Sequence, residues 1–439
     1  MRDLKGRLDQ ELQQIRGAPD ARELVARRVR ARARRRKLAA IPAAMAITVA
    51  IVVPLTRIIS PGSKAIQSVP SVDPVTCSWT ITPTPSVSPQ SRDNFLNDVV
   101  AIAPDDVWAV GNAYLRGETG DNRPLILHWD GSSWSVAPTP EVEGTLESVA
   151  AVASDDVWAV GSTNAPSGLV MHWDGRQWST VDATDPGTRF WGFRDAAATG
   201  PNDVWAVGWT ATGGSGQPLA EHWDGSGWSV VPVPSVAPSP ETGNPYASFE
   251  AIAAGGSDDV WAVGERTNVA PAGLSNFLTA HWDGTSWTTF PIPDVPTQSG
   301  DVFNHMLDVA VAADGEAIAL GSYSTRPGTG YGDLPAPYEW GGTTWNSVSA
   351  SRSDTPLTAV ARVGKVWLAV ASGVPAYLEG PHESTGRFMI WDGAWSERSL
   401  PGTEGAGLDG LSVGSTELWV VGTAPGDDGT SRSVAGHCS

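Results

Sequence analysis

Cysteine and lysine are scarce, with two and four residues among 439. Two thiols are too few for a zinc site unless other ligands lie nearby. Residues 1–37 hold 13 of the 29 Lys and Arg and 5 of the 48 Asp and Glu, which leaves 16 basic against 43 acidic residues in the remainder. This acidic remainder excludes nucleic acid as a partner, because phosphate backbones bind basic surfaces. We expect no metal and no cofactor.

Long apolar runs are also scarce. Residues 38–56 form one run of 19 residues without a charge, which is close to the length of a membrane span. A basic stretch, residues 27–37, precedes it, and the positive-inside rule places such a stretch in the cytoplasm. A cleaved signal peptide or a twin-arginine export signal is the alternative, and either would also export the acidic remainder of the chain.

The chain therefore divides into four predicted parts. They are a basic helical cytoplasmic segment (1–37), one transmembrane helix (38–56), an extended linker (57–74) and an extracytoplasmic body (75–439). The basic tail serves as an orientation signal in the simpler interpretation, and anionic lipid or a partner helix is the alternative.

Glycine, proline and tryptophan are abundant, with 48, 34 and 21 residues, which favours short strands joined by turns. The phrase Asp-Asp-Val-Trp-Ala-Val-Gly at residues 105–111 recurs along the body. Further copies, some degraded, lie at residues 155–161, 202–208, 258–264, 315–321, 364–370 and 416–422. A second phrase, His-Trp-Asp-Gly-Ser-Ser-Trp at residues 128–134, follows the first. The matching tryptophans of the first four units are 50, 47 and 56 residues apart, which is the period of a four-stranded propeller blade.

Each unit divides into four short strands, which we label a to d. The sequence therefore predicts an all-β fold, a seven-bladed β-propeller with four-stranded blades. Alternation along strand b of the first unit places Trp108 and Val110 on one face, where they pack against a neighbouring blade. The Asp130-Gly131 pair between strands c and d predicts a two-residue type I′ hairpin.

The last unit ends at Ser439 without a strand d. The start of the body, residues 77–85, matches strand d of the first unit, so this N-terminal strand is predicted to complete the last blade. The pairing brings Cys77 and Cys438 within disulfide reach. We predict a Cys77–Cys438 disulfide that closes the ring in an oxidising compartment. A metal site or a nucleophile is the competing role for these cysteines.

The two repeated phrases resemble the propeller repeats of exported actinobacterial proteins in the kelch and galactose-oxidase-like superfamily, over residues 75–439. The Asp-Gly-x-x-Trp element is also similar to the Asp-box turn of sialidase-like propellers. Both resemblances imply the propeller fold, and neither implies an activity. The basic helix before one membrane span resembles membrane regulators of actinobacteria, although it lacks the His and Cys zinc signature of anti-sigma domains.

The motifs that could suggest catalysis are better explained as residues with a packing role. Residues 410–414 read Gly-x-Ser-x-Gly, but they lie in a predicted strand and not in the strand–turn–helix of a nucleophile elbow. His128 recurs once per unit before a tryptophan, so we interpret this set as structural. The paired aspartates Asp105 and Asp106 favour turn geometry, with calcium binding as the alternative.

Strand order places the a–b and c–d turns on one face, the short-turn face, and the b–c and d–a loops on the other, the long-loop face. The long insertions, which fall on the long-loop face, are residues 235–248, 294–305, 323–337 and 372–387. Irregular loops on a rigid ring commonly carry function, and aromatic residues with arginine suit sugar stacking or a protein hot spot. The candidate contact residues are Trp191, Arg194, Tyr246, His305, Tyr331 and His382, with loop packing as the alternative for each.

These inferences predict a non-enzymatic, monomeric binding or scaffold propeller at the cell membrane. It would contact a protein or a cell-wall glycan through the long-loop face. A sialidase-like or other glycan-cleaving hydrolase is the alternative. Several arginines converging on the channel are required in a sialidase, and the acidic body repeats no arginine at one strand-a position.

Overall fold

The computed structural model describes residues 73–74, 76–86, 91–115, 122–213, 215–235, 246–269, 274–293, 303–324, 334–349, 357–371, 385–426 and 430–439. The predicted cytoplasmic segment, the transmembrane helix and nearly all of the linker lie outside these residues. Tyr331 and His382 also lie outside them. Across the described ranges, no helix is long and apolar enough to cross a membrane.

The described strands form seven antiparallel sheets of four strands each, and each sheet is one blade. Blade 1 contains β2 (Ser91–Ala103), β3 (Asp106–Leu115), β4 (Asn122–Trp129) and β5 (Trp134–Val136). Blade 2 contains β6 (Gly144–Ala153), β7 (Asp156–Thr163), β8 (Gly168–Trp173) and β9 (Trp178–Thr180). Blade 3 contains β10 (Phe190–Gly200), β11 (Asp203–Thr212), β12 (Ser215–Trp223) and β13 (Trp228–Val230).

Blade 4 contains β14 (Ala247–Gly256), β15 (Asp259–Val269), β16 (Leu274–Trp282) and β17 (Trp287–Thr289). Blade 5 contains β18 (Phe303–Val311), β19 (Ala317–Ser324), β20 (Leu334–Trp340) and β21 (Trp345–Ser347). Blade 6 contains β22 (Leu357–Val363), β23 (Val366–Ala371), β24 (Thr385–Trp391) and β25 (Trp395–Glu404). Blade 7 contains β26 (Gly407–Val413), β27 (Leu418–Pro425), β28 (Ser431–Cys438) and the N-terminal β1 (Trp79–Thr82).

The blades close into a ring. Strand a of each blade contacts strand a of the next, and β26 of blade 7 contacts β2 of blade 1. The seven a strands therefore line a central channel, and the d strands lie at the outer edge. The prediction of an all-β, seven-bladed propeller with four-stranded blades is confirmed.

Alternation along strand b supplies the core between blades. Trp108 and Val110 pack against Val149 of blade 2, while Val107 on the opposite face packs in a cluster with Trp419 of blade 7. Burial of one indole removes roughly 150–250 Å² from water. At about 25 cal/mol per Å², this is a gross gain of roughly 4–6 kcal/mol before side-chain entropy is subtracted. The predicted packing of these tryptophans between blades is confirmed.

The ring is closed by the N-terminal strand, as predicted. In the pairing of β1 with β28, Trp79 lies opposite Cys438. A disulfide joins Cys77 to Cys438, with Cα atoms 5.6 Å apart and a sequence separation of 361. Cys77 precedes β1, so the bond runs from the connection before the strand and not from a directly opposed strand position.

The turns between strands c and d are longer than predicted. In blade 1 four residues, 130–133, separate the paired ends of β4 and β5. The Asp130 carboxylate accepts the N–H groups of Ser132 and Ser133, each at 2.9 Å, and Gly131 has a φ of 88°. A side-chain carboxylate therefore holds the loop, as aspartate does in Asx turns, and the predicted type I′ hairpin is wrong.

Polar side chains satisfy N–H groups of the a strands. Asp98 of blade 1 accepts the N–H of Val149 in blade 2 at 2.9 Å. Asp195 and Asp308 make the same contact to blades 4 and 6, at 2.7 and 2.6 Å. Ser412, the serine of the Gly-x-Ser-x-Gly sequence, accepts an N–H of blade 1 at 2.9 Å. This serine therefore has the packing role that was predicted for it, because a buried strand N–H needs an acceptor.

Candidate recognition site at the channel mouth

Each strand a carries a β-bulge where it pairs with strand b, and the bulge places one extra residue at the same level of every blade. These bulge residues are Asn97, Glu147, Arg194, Glu250, Leu307, Thr358 and Asp409. A bulge redirects a side chain out of the regular alternation. The bulge residues reach neighbouring blades, since the Asn97 amide donates to the Leu146 carbonyl at 2.8 Å and the Thr358 hydroxyl donates to the Leu408 carbonyl at 2.6 Å.

Arg194 lies at the centre of the charged part of this ring. Its Nη1 is 3.5 Å from Oε1 of Glu147, and its Nε is 3.4 Å from Oε2 of Glu250. The two glutamates belong to blades 2 and 4, so three consecutive blades converge on one guanidinium. The Arg194 side chain is 40% exposed. Ion pairs this exposed contribute about 0–1 kcal/mol to stability, and the exposed part of the Arg194 side chain can be reached by a ligand.

Two further contacts extend the cluster toward the long-loop face. His305, near the start of β18, places Nδ1 2.7 Å from Oε2 of Glu265, which joins blades 5 and 4. Ser248 donates its hydroxyl hydrogen to Glu250 at 2.6 Å. We call these four residues together with Glu147, Arg194 and Tyr246 the channel-mouth cluster.

Tyr246 immediately precedes β14 and is half-buried. Its ring lies against the main chain of Gly216, where an added Cβ would be 2.6 Å from the ring. Burial raises the pKa of the Tyr246 hydroxyl, a hydrogen bond with Ser248 opposes the rise, and the nearby Glu250 and Glu265 add to it. The phenol therefore stays protonated and can both donate and accept hydrogen bonds.

The carboxyl groups of the ring hold protons more tightly than usual. Burial raises the pKa of Glu147, although Arg194 opposes the rise. Burial also raises the pKa of Glu250, against the hydrogen bond from Ser248 and the charge of Arg194. Asp409 faces the channel water, yet the surrounding wall dehydrates it enough to raise its pKa to about 7. The site thus offers carboxyl, guanidinium, imidazole and phenol groups to a polar ligand.

The structure brings three of the sequence-predicted residues together, namely Arg194, Tyr246 and His305. Trp191 lies elsewhere, since it is 8% exposed and its ring packs edge-on against Phe193, with centroids 5.6 Å apart. It belongs to the core between blades 2 and 3, so we leave it out of the site. Tyr331 and His382 stay predictions outside the described residues.

Sequence reasoning missed Glu147, Glu250 and Glu265. The two bulge residues share a position with Arg194, but bulges interrupt the two-residue period from which faces are assigned. An alignment of all seven a strands on the later Gly of strand b would have shown a charged residue at this position in four blades. In the part of the chain that the structure describes, no group of three or more His, Cys, Asp or Glu residues is placed to hold a metal ion.

No family model and no curated protein matches this chain. Among solved structures it is similar to an ulvan lyase of polysaccharide lyase family 25 bound to -[GlcA(1-4)Rha3S]-, with 11% identity, a TM-score of 0.50, and coverage of 75% of this chain and 91% of that one. It is also similar to YCF48 bound to D1 peptide, with 12% identity, a TM-score of 0.49, and coverage of 86% and 99%. A third similar structure is a catalytically inactive virginiamycin B lyase from Staphylococcus aureus with quinupristin, at 11% identity, a TM-score of 0.49, and coverage of 82% and 100%. Identities this low show a shared β-propeller fold alone.

Proposed function

We propose that this protein is an extracytoplasmic binding or scaffold propeller that recognises a protein or a cell-wall glycan through its long-loop face. One observation carries the proposal, which is the convergence of charged side chains from blades 2 to 5 at the channel mouth. Arg194 and His305 are both substantially exposed, at 40% and 41% of their side chains. Exposed, paired charges contribute little to folding, and rigid strands hold side chains in the fixed geometry that recognition requires.

The chemistry of the cluster suits a ligand with several hydroxyl or amide groups. Glu147 and Glu250 can accept hydrogen bonds when ionised and donate them when protonated, and the Arg194 guanidinium donates in a planar fork. A glycan hydroxyl both donates and accepts, so it can bridge such neighbours. A carboxylate on a peptide or sugar would pair with Arg194.

A second candidate, a glycan-cleaving hydrolase, has a specific observation in its favour. Glu147 and Glu250 flank one guanidinium, and burial raises the pKa of both. Glycosidases employ two carboxyl groups, one of which holds a proton for the leaving group. We rank binding first because Arg194 contacts both carboxylates and so occupies the space between them.

The test uses the full-length chain in mild detergent, presented to a glycan array and to peptidoglycan. Arg194→Ala and Glu250→Gln are expected to weaken capture at least roughly tenfold, since charged contacts that a ligand buries commonly contribute about 2 kcal/mol or more. The matched control is Arg398→Ala, which removes an exposed guanidinium from β25 at the outer edge of blade 6. Equal capture by all three variants overturns the proposal.

The same samples separate binding from hydrolysis. Chromatography of a captured glycan after incubation detects new reducing ends if the protein cleaves it. Cleavage that disappears in Glu250→Gln establishes the hydrolase, and an unchanged glycan supports the binding protein.

We further propose that the propeller is displayed outside the cell by the membrane helix at residues 38–56. The resemblance of the repeats to exported actinobacterial kelch-like proteins supports this location. The Cys77–Cys438 disulfide also supports it, because such bonds persist in oxidising compartments. Protease added to intact cells should digest the body and spare residues 1–37, and protection of the whole chain would refute this topology.

A further inference from the structure

An open cleft lies between blades 1 and 2 on the short-turn face, opposite to the channel-mouth cluster. Its volume is 360 Å³, and Asp106, Trp108 and His128 of blade 1 together with Ser154 and Trp173 of blade 2 line it. A cavity of this size is at the lower end of small-ligand sites, which run from about 300 to 1,000 Å³.

The cleft is built from one set of ordered contacts. Nε2 of His128 lies 2.9 Å from Oδ1 of Asp106. The imidazole lies on the Trp108 ring with centroids 4.3 Å apart, and the Trp173 ring of blade 2 packs directly against Trp108 with centroids 5.0 Å apart. The side chains of His128 and Asp106 remain 29% and 16% exposed. Their polar atoms are therefore fixed in direction and reachable from water.

The carboxylate of Asp106 is kept ionised. Partial burial opposes ionisation, but hydrogen bonds from His128 and Ser154 and the attraction of His128 outweigh it and lower the pKa of Asp106. An ionised carboxylate has four lone-pair sites, so one acceptor site remains for a ligand after the contacts with His128, Ser154 and Trp108.

The same arrangement repeats at the next three blade junctions. The His–Asp distance is 2.8 Å in each, in the pairs His172–Asp156, His222–Asp203 and His281–Asp259. The second wall is supplied by Trp223, Trp282 and Trp340, at 4.9, 5.0 and 4.6 Å from the strand-b tryptophan. The His–Asp contact thus agrees with the structural interpretation made from the sequence.

The ring closes without the His, Asp and Trp combination at every blade junction. Register places Ile318 opposite Glu339 in blade 5, and Leu368 opposite Ile390 in blade 6, where blade 1 has Trp108 opposite His128. These two blades stack with aliphatic side chains at the same positions. Blade stacking therefore tolerates other side chains at these positions, and blade 7 keeps a variant of the set in Trp419, His437 and Glu417.

We propose that the four clefts are equivalent sugar-binding sites, each taking one neutral pyranose unit. The indole of Trp173 and its counterparts offers an apolar surface to the C–H face of the sugar. The Asp106 carboxylate accepts a hydrogen bond from one sugar hydroxyl, and the His128 ring packs along the sugar edge. Four sites on one face would bind clustered glycans far more tightly than single sugars, through effective concentration.

The experiment uses saturation-transfer NMR of the full-length chain in detergent with the methyl glycosides of glucose, galactose, mannose and fucose. At least one glycoside is expected to bind with a Kd of about 1 mM, and titration should give four sites. Asp106→Asn should reduce the number to three, because asparagine keeps the shape and loses the charge. The matched control is Glu316→Gln, which alters the corresponding position of blade 5, where the carboxylate pairs with Arg362 of blade 6 at 2.9 Å.

A surface coated with the same sugar in polymeric form gives a second readout. Asp106→Asn combined with Asp156→Asn should raise the apparent Kd at least roughly tenfold, while the Glu316→Gln control should leave it unchanged. If no glycoside gives a signal, or if the site number stays the same in Asp106→Asn, the inference is wrong. Since Arg194 lies on the other face, failure here is distinct from failure of the channel-mouth proposal.

Discussion

The Cys77–Cys438 disulfide should be the largest single contribution to the stability of the ring. It closes a loop of 361 residues, and the chain-entropy model assigns such a loop about 6 kcal/mol of denatured-state entropy. Several contacts hold β1 without the bond. The Thr82 hydroxyl donates to the Ala435 carbonyl at 3.2 Å, and the Trp134 indole donates to Thr82 at 2.9 Å. We therefore expect the measured loss to lie between about 2 and 6 kcal/mol.

Denaturant unfolding of the full-length chain, oxidised and reduced, measures this loss as a shift in midpoint. Cys77→Ser combined with Cys438→Ser should match the reduced protein and show no response to reductant. Coincident curves for the oxidised and reduced protein would refute the reasoning. That result would mean that the pairing of β1 with β28 alone closes the ring.

The remaining predictions concern pH and packing. Burial raises the pKa of Asp195 to about 7, so the folded state binds more protons than the unfolded state between about pH 4 and 7, and stability should fall as pH rises from 5 to 8. Thermal midpoints at both pH values should show this fall, and Asp195→Asn should reduce it. Gly216→Ala should displace the ring of Tyr246, which lies 2.6 Å from the added Cβ, and so weaken capture in the array assay while costing about 1–3 kcal/mol of stability. Gly410→Ala should cost a similar amount in denaturant unfolding, whereas Gly227→Ala, which meets open space, should be neutral.

The ring and its closure could be predicted from the sequence because both rest on short local patterns. Strand b alternates Val, Trp, Ala and Val, and the number of copies of this pattern equals the number of blades. The match of residues 77–85 to an ordinary strand d identified the missing strand and with it the disulfide. Blade 6 shows the limit of this reasoning. Its copy was aligned at residues 364–370, but Leu357 pairs with Ala371, so the true position is one residue later.

The channel-mouth cluster was predicted in part, from residue type and loop length. Arg194, Tyr246 and His305 were predicted because arginine, aromatic and imidazole side chains near long insertions are typical of recognition sites. Glu147 and Glu250 did not, because an isolated glutamate in a strand has no local signature. Their role depends on a bulge and on contacts between blades, both of which are tertiary facts.

An odd number of blades explains one further feature of the channel wall. Asp98, Asp195 and Asp308 occupy the position after the bulge in blades 1, 3 and 5, and small residues separate them in blades 2, 4 and 6. Continued alternation would place a fourth aspartate in blade 7, directly beside blade 1. Gly410 stands there, and an added Cβ would lie 2.9 Å from the Cα of Asp98. Buried like charges raise one another's pKa, so a neighbouring pair would cost more than a separated one. In a ring of seven, alternation must fail at one junction, and here Gly410 stands in place of the fourth aspartate while the N–H of Val99 donates to Asp98 of its own blade at 2.7 Å.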